Sequence, residues 1–529
     1  MSVVGNLLFV LHAHLPFVRH PGYKHPFIEE NWLNEAILET YIPLLRVFRN
    51  LREEGIYFRI TMSFSPSLSS MLIDPYLQDK FRSYITNLIR LGEKEVERTT
   101  YDSHLNYLSQ KYLGHFQDTL SIFDELQGDI TKGFREFLDN GSLEIITCPA
   151  THGFLPFMES EPASVRAQIR NGRRTHRRVW GRDPKGIWLS ECGYYKGLEK
   201  FLADEGIKYF FVDTHGIEHA EPRPKYGVYA PVEVGEGVFA FGRDPESSRQ
   251  VWSSQDGYPG DFRYREYYRD IGHDLDYNYI HHFLNSDGIR INTGIKYHRI
   301  TGKDTYKEYY NPDAAMEACG NHATDFLNKR IEQANNFYNE MGQAAIIVSP
   351  YDAELYGHWW YEGPQFIEYL FKKIHFDQDS IRPIHALESP GIVNRIQSVN
   401  MSMSSWGENG YGDVWLNKTN DWIYPHLLAC ASDLQALVHI YKDTKDDWQI
   451  RVLNQMGREL LLAQSSDWAF IMKTGTMVDY AVRRTNVHVN LFYHLKSMLQ
   501  NDDRDDKSLD RMEEENNIFP DISFKDWLK

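Results

Sequence analysis

Residues 5–21 read GNLLFVLHAHLPFVRHP. Leu7 to Leu11 are continuously apolar, the signature of a strand buried on both faces, as in a parallel sheet. His12 and His14 follow two residues apart, so on an extended backbone both imidazoles point to one side. Pro16 closes the segment. A strand that delivers paired imidazoles to its end admits three readings: a metal site, a polar floor for a sugar, or a purely structural pair.

The same grammar recurs along the chain. YFRITMSFSP (57–66) ends in a Ser-Pro turn, LEIITCPATHG (143–153) reaches His152, and GIWLSECGYY (186–195) carries Glu191. IKYFFVDTHG (207–216) ends at Asp213 and His215, AAIIVSPYDAE (344–354) reaches Asp352, and the weaker VNMSMSSWGE (399–408) runs into Trp406. Helical patterns such as WLNEAILETYIPLLRVFRNLREEG (32–55) lie between them. Alternating strand and helix, with polar residues at the C-terminal ends of strands, is the logic of a (β/α) barrel. About seven strands can be counted, one short of the usual eight.

Three stretches depart from a plain barrel. Residues 67–140 are helix-patterned and read as a helical insertion, and 216–310, rich in Tyr, Gly, Pro and Asp, read as long loops above the strand ends. Residues 1–415 are therefore expected to form the barrel and 416–529 a separate all-helical domain. The run NDDRDDKSLDRMEEENN (501–517) is expected to be mobile.

The bulk chemistry narrows the function. A net charge of −17 argues against a nucleic-acid partner. No run of eighteen apolar residues exists, so no membrane span is expected. The N-terminal apolar run lacks a basic flank and a cleavage site. Cys148, Cys192, Cys319 and Cys430 form no CxxC pair. A reduced, cytoplasmic monomer is the expectation. Aromatic residues make up 14% of the chain, enough to furnish flat platforms for sugar rings as well as a core.

Glu191 and Asp352 each follow an apolar strand, so in a barrel both would project into the same mouth. Retaining glycosidases need a nucleophilic carboxylate and an acid/base carboxyl roughly 5–5.5 Å apart; an acid at a strand end can equally be a helix N-cap. Trp359 and Trp360 follow Asp352, and Trp406 and Trp415 bracket SSWGENGYGDVW, positions that suit stacking on a glucose ring or simple core packing. A metal site would have to recruit His12 and His14 together with His152, His215 and Asp352, and would leave Glu191 without a role.

HAHLPFVRHP (12–21), ITCPATHGFLP (146–156), IWLSECGYY (187–195), YDAELYGHWWYEGPQF (351–366) and SSWGENGYGDVW (404–415) resemble, in order, the five signature regions of glycoside hydrolase family 57. FGRDPESSRQVWSSQDGYPGDFRYREYYRDIG (241–272) and SSDWAF (465–470) look like its branch of 1,4-α-glucan branching enzymes. The resemblance implies an α/β fold, a (β/α)7 barrel with a helical insertion and a C-terminal helical domain. It implies Glu191 as nucleophile and Asp352 as general acid/base. His12, His14 and His152 would line the sugar site, and Trp406 and Trp415 the groove, with Trp359 and Asp467 in the same substrate-binding set. The implied substrate is an α-1,4-glucan, with no metal or cofactor; transfer to a 6-hydroxyl makes a branch, to water an amylase reaction, to a 4-hydroxyl a 4-α-glucanotransferase reaction. A catalytically silent glucan-binding relative is the reading from another class. Ser190 replaces the proline usual before the nucleophile, and His273 stands where a larger aromatic is expected. Tyr226, Tyr229 and Tyr258 are candidates for a lid tyrosine.

Overall fold

The computed structural model describes residues 3–23, 27–253, 257–284, 288–302 and 306–528. Ten strands occur among the described residues: β1 (Gly5–Ala13), β2 (Ile60–Phe64), β3 (Leu143–Ile146), β4 (Gly186–Ile187), β5 (Tyr209–Val212), β6 (Val232–Gly235), β7 (Val238–Gly242), β8 (Ala345–Asp352), β9 (Ile381–Pro383) and β10 (Gln397–Ser398). β3-β2-β1-β8 form one parallel set and β4-β5-β7 another. Thr147 joins them on one side: its carbonyl accepts the Trp188 N–H at 2.8 Å, and its own N–H reaches Gly186. On the other side the Asp244 N–H donates to Val348 O at 2.8 Å. Seven strands thus run β1-β2-β3-β4-β5-β7-β8 and back to β1, the (β/α)7 arrangement.

The period-2 alternation of a strand explains where the histidines go. In β1, Leu7, Phe9 and Leu11 pack outward against the helices, while Leu8 and Val10 pack inward with Ile146, Trp188, Phe211, Phe241, Ile346 and Val348. His12 continues the even-numbered inward row past the end of the packed interior. Register then places Ser63 of β2 on one side of His12 and Asp352 of β8 on the other.

Two expectations for the strands need correction. The seventh barrel strand is Val238–Gly242, inside the stretch read as loop, and the candidate at 399–408 supplies no barrel strand. β7 is a five-residue apolar run turned antiparallel onto β6 through Gly235, Glu236 and Gly237, all at positive φ. Turn-rich neighbours conceal so short a strand. Near 399–408, only β10 pairs, at the edge of β6, and the rest makes isolated bridges such as Tyr194–Ser404.

The insertion is helical: Pro75–Arg98 and Ser103–Glu125 pack on each other, capped by Asp74 and Asp102, and Thr131–Asp139 returns to lie against β3. Beyond Trp415 a turn-rich stretch leads into helices Ile423–Ile440, Asp447–Ala463, Ser466–Thr474, Val478–Asn501 and Asp506–Glu515. The last of these occupies the charged run expected to be mobile. Arg451 meets Asp510 at 2.5 Å and Glu513 at 2.6 Å, which offsets the repulsion of its acids. The chain end then packs back on the barrel helix Pro162–Trp180, with Trp527 fully buried and Asp526 paired to Arg174.

Candidate active site

The mouth of the barrel is floored by three stacked imidazoles. His14 lies 3.8 Å from His152 at 14°, and Trp188 closes the far side of the stack 4.8 Å from His12. The members differ in charge. Burial outweighs everything else at His12 and His152 and holds both well below the usual imidazole range, so they are neutral. Burial also disfavours charge on His14, but the Asp467 carboxylate, with both oxygens 3.0 Å from Nε2, overrides it and raises the pKa. Reciprocally, Asp467 is held below the ordinary carboxylate value although burial opposes ionisation.

Glu191 is set by an unusual backbone. It has φ +61°, and Cys192 follows at +54°, two successive left-handed non-glycine residues. Such conformations cost about 1–3 kcal/mol each and persist only where surroundings enforce them. Here Trp406 N–H donates to the Glu191 carbonyl at 2.8 Å, its indole Nε1–H donates to Oε2 at 2.7 Å, and the Ser466 hydroxyl donates to Oε1 at 2.9 Å. His152 Nδ1 is 3.6 Å from the same oxygen. Burial raises the carboxyl to about 7 against these donors.

Asp352 ends β8 with ordinary extended backbone and has no side-chain hydrogen bond among the described residues. Burial, reinforced by the Glu354 and Glu191 carboxylates, pushes its pKa to about 8. Glu354 accepts the His14 N–H at 3.2 Å and the Tyr41 hydroxyl, and burial raises it too. One carboxyl is therefore clamped by donors, and its neighbour is unclamped and protonated at neutral pH. That asymmetry is what a nucleophile and an acid/base pair require.

The structure brings Glu191, Asp352, His12, His14, His152, Trp406 and Asp467 together. Trp415 is different: its ring is 2% exposed and stacks on Phe154 at 5.1 Å, so it supports the mouth from within and offers no open face to a sugar. A tryptophan in a polar motif reads as a platform until its packing partner, 261 residues earlier by number (415 − 154), is seen. Trp359 is 53% exposed and stacks on Tyr267 at 4.5 Å, beside a recess of about 280 Å³ also lined by Arg265 and Tyr268. Among the described residues no hydrogen bond joins it to Glu191 or Asp352, and its backbone N–H donates to Glu354 O.

His215 bonds Gly410 O at 2.8 Å and Asp213 caps a helix, so neither joins the histidines. Tyr226 and Tyr229 pack on Phe337, and Tyr258 bonds Asp325, which commits all three to helix Pro312–Met341. His273 is exposed in a short helix and stacks on no ring among the described residues. Ser190 is buried, and its hydroxyl has no partner among the described residues.

Among the described residues two triads have ligand atoms within 4.8 Å, His12/Cys148/His152 and His14/His152/Asp467. His152 would have to serve both. Each imidazole nitrogen in them already has a hydrogen-bond partner, and burial keeps Cys148 a thiol, so the donors suit a proton network better than a cation.

Reading the sequence missed Ser63, Ser65, Trp188, Glu354 and Ser466. Ser63 and Ser65 repeat the two-residue spacing of His12 and His14 on the neighbouring strand, a signal available from the sequence. Ser466 lies in the SSDWAF stretch, but nothing local to it points to its contact with Glu191, 275 residues away.

The profile of glycosyl hydrolase family 57 matches residues 8–350. The chain belongs to glycosyl hydrolase family 57. A second profile, of the 1,4-α-glucan branching enzyme C-terminal region, matches residues 426–527, the part that supplies Ser466 and Asp467. Among family 57 relatives, a 1,4-α-glucan branching enzyme of Thermococcus kodakarensis is 34% identical over 97% of this chain and 77% of its own. An α-amylase structure from Thermotoga maritima is 46% identical, with TM-score 0.93 over 99% of each chain. The family 57 branching enzyme structure from Pyrococcus horikoshii is 33% identical, with TM-score 0.89 over 100% of this chain and 97% of its own.

Proposed function

We propose that the chain is a retaining α-glucan transglycosylase, a 1,4-α-glucan branching enzyme acting on amylose, glycogen or a starch-like polysaccharide. The observation that carries the reading is the clamped Glu191 beside the unclamped, protonated Asp352, in a mouth completed by Ser466 and Asp467.

Glu191 attacks the anomeric carbon of an α-1,4-linked glucosyl unit while Asp352 protonates the departing 4-oxygen, giving a covalent glycosyl-enzyme. The donors on Glu191 aim its carboxylate and let it leave as a stable anion in the second half-reaction. Asp352, now ionised, takes the proton of an incoming 6-hydroxyl, and the branch forms with retained configuration. His12, His152 and the His14–Asp467 pair offer fixed hydrogen-bonding groups to the sugar beside Glu191. Holding the acceptor hydroxyl in place lets it compete with water. Synthesis of a storage glucan by a monomer in the cytoplasm belongs to the same proposal, and the four buried free cysteines support a reduced compartment.

Hydrolysis is the second reading, favoured by the 46% identity to the Thermotoga maritima α-amylase. Incubation with amylose, followed by α-1,6-specific debranching, chain-length analysis and a parallel count of reducing ends, separates the two. New short chains released only by debranching establish the transferase. Reducing ends that rise without α-1,6 linkages establish a hydrolase on the same machinery, and silence in both overturns the enzyme reading.

A further inference from the structure

Glu191 stands at one end of an unbroken run of hydrogen bonds. Ser466 Oγ is 2.9 Å from Glu191 Oε1, and His152 Nδ1 is 2.9 Å from Ser466 Oγ. The Nε2 atoms of His152 and His12 face each other at 3.0 Å. His12 Nδ1 is 3.0 Å from Ser63 Oγ, which is 3.0 Å from Cys148 Sγ. Beyond Glu191, every member is at most 3% exposed, so no solvent proton intrudes.

Counting protons leaves this chain two arrangements. A contact between two ring nitrogens at 3.0 Å holds one proton: none sets two lone pairs face to face, and two sets two N–H groups face to face. A neutral imidazole carries its single proton on one nitrogen. If His152 donates Nδ1–H to Ser466, its Nε2 is bare and His12 must donate from Nε2. His12 Nδ1 is then bare, accepts the Ser63 hydroxyl, and Ser63 accepts the Cys148 S–H. Every donor points toward Glu191, and the Ser466 proton lies on its carboxylate. In the opposite sense Ser466 spends its one proton on His152 and turns a lone pair on Glu191, which suits only a protonated carboxyl. The two senses of the chain therefore match the two protonation states of Glu191.

The far end decides between them. In the reversed sense the Ser63 proton must rest on sulfur, a weak acceptor, whereas in the forward sense it rests on an imidazole nitrogen. The charged His14 ring, 3.8 Å over His152, discourages a second proton there and keeps the count intact.

We infer that Ser63 and Cys148 are remote positioning residues: through the His12–His152 pair and Ser466 they hold the chain in the sense that aims a donor at Glu191 and keeps it an anion ready to attack. The inference rests on Glu191 being the nucleophile of the proposed reaction. Trp406, His14, Asp467 and Asp352 also face Glu191, and Arg243 and Glu354 act on Asp352. All of them are left in place by a change at Ser63.

The test has two parts. In the wild-type enzyme with ¹⁵N-labelled histidine, assigned through loss of signal in His12→Gln and His152→Gln, His12 is expected as the Nε2–H tautomer and His152 as Nδ1–H above the titration of Glu191. Both should exchange tautomer as the pH falls through that titration. Finding Nδ1–H on His12 at high pH overturns the chain's sense whether or not the protein turns over glucan. In kinetics, Ser466→Ala is expected to move the acid limb of kcat/KM upward by about one pH unit. Ser63→Ala should move it the same way by less, with KM for amylose unchanged and the limb restored in Ser63→Thr. A Ser63→Ala rate lowered equally at all pH, with the limb unmoved, would mean a merely structural serine and overturn the role. Wild-type inertness on amylose, or full activity of Glu191→Gln, would instead sink the parent reading.

Discussion

The two segments that carry the carboxylates, 186–195 and 345–354, end strands of one barrel yet handle their acids in opposite ways. Glu191 sits on two successive positive-φ residues with its oxygens held by Trp406 and Ser466. Asp352 continues a straight strand, and no hydrogen bond to its carboxyl is found among the described residues. Burial raises both acids; donors oppose it at Glu191, which reaches about 7, while the Glu354 and Glu191 carboxylates add to it at Asp352, which reaches about 8. Backbone geometry at strand ends thus gives two like groups the different settings that the proposed roles call for.

The harshest way to break that comparison is Glu191→Gln. It keeps the shape and removes the proposed nucleophile, so transfer and hydrolysis of amylose should both fall by several orders of magnitude while circular dichroism is unchanged. Near-normal turnover would assign the attack elsewhere. Asp352→Asn should cost about 10²–10⁴-fold on amylose, and far less on a substrate whose leaving group needs no proton. Equal losses on both substrates would contradict an acid role.

The pH dependence sharpens the contrast. In the proposed roles Glu191 acts ionised, so activity should be lost as pH falls through about 7, and Asp352 acts protonated, so it should be lost as pH rises through about 8. A bell with a maximum between these limbs is expected, its apparent values belonging to the coupled pair. Trp406→Phe deletes one donor from Glu191 and should raise only the acid limb, by about one unit, since a hydrogen bond to a charged group contributes about 1.5–3 kcal/mol.

The last effect concerns stability. Asp352 loses its proton near 3.8 when unfolded and near 8 when folded. Between those values the folded state binds more protons, so its stability declines as pH rises. Asp352→Asn should therefore melt progressively higher than the wild type as pH goes from about 4 to 8, with no further gain above. A constant offset across that range in parallel thermal melts would show that Asp352 is not buried as a neutral acid.

Much of the site was legible because β1 obeys a short-range rule. Apolar residues through Leu11 and histidines at 12 and 14 leave one choice of face, and the motifs carry His152, Glu191 and Asp352 in that order. Trp415 escaped the same logic because its stacking on Phe154 is a long-range contact. β7 escaped because four apolar residues between glycines carry little periodicity to read.

What the sequence determined by itself was local: which stretches extend, which side of a strand the histidines take, and that two acids end buried strands. Those follow from covalent geometry and side-chain polarity over a few residues. Only the tertiary structure decided which acid is clamped and which is free, which histidine is charged, and that Ser466 bonds Glu191 while its neighbour Asp467 bonds His14. Those depend on desolvation and on hydrogen bonds between residues as far apart as His14 and Asp467, 453 positions along the chain. Such terms exist only once the chain has closed around them.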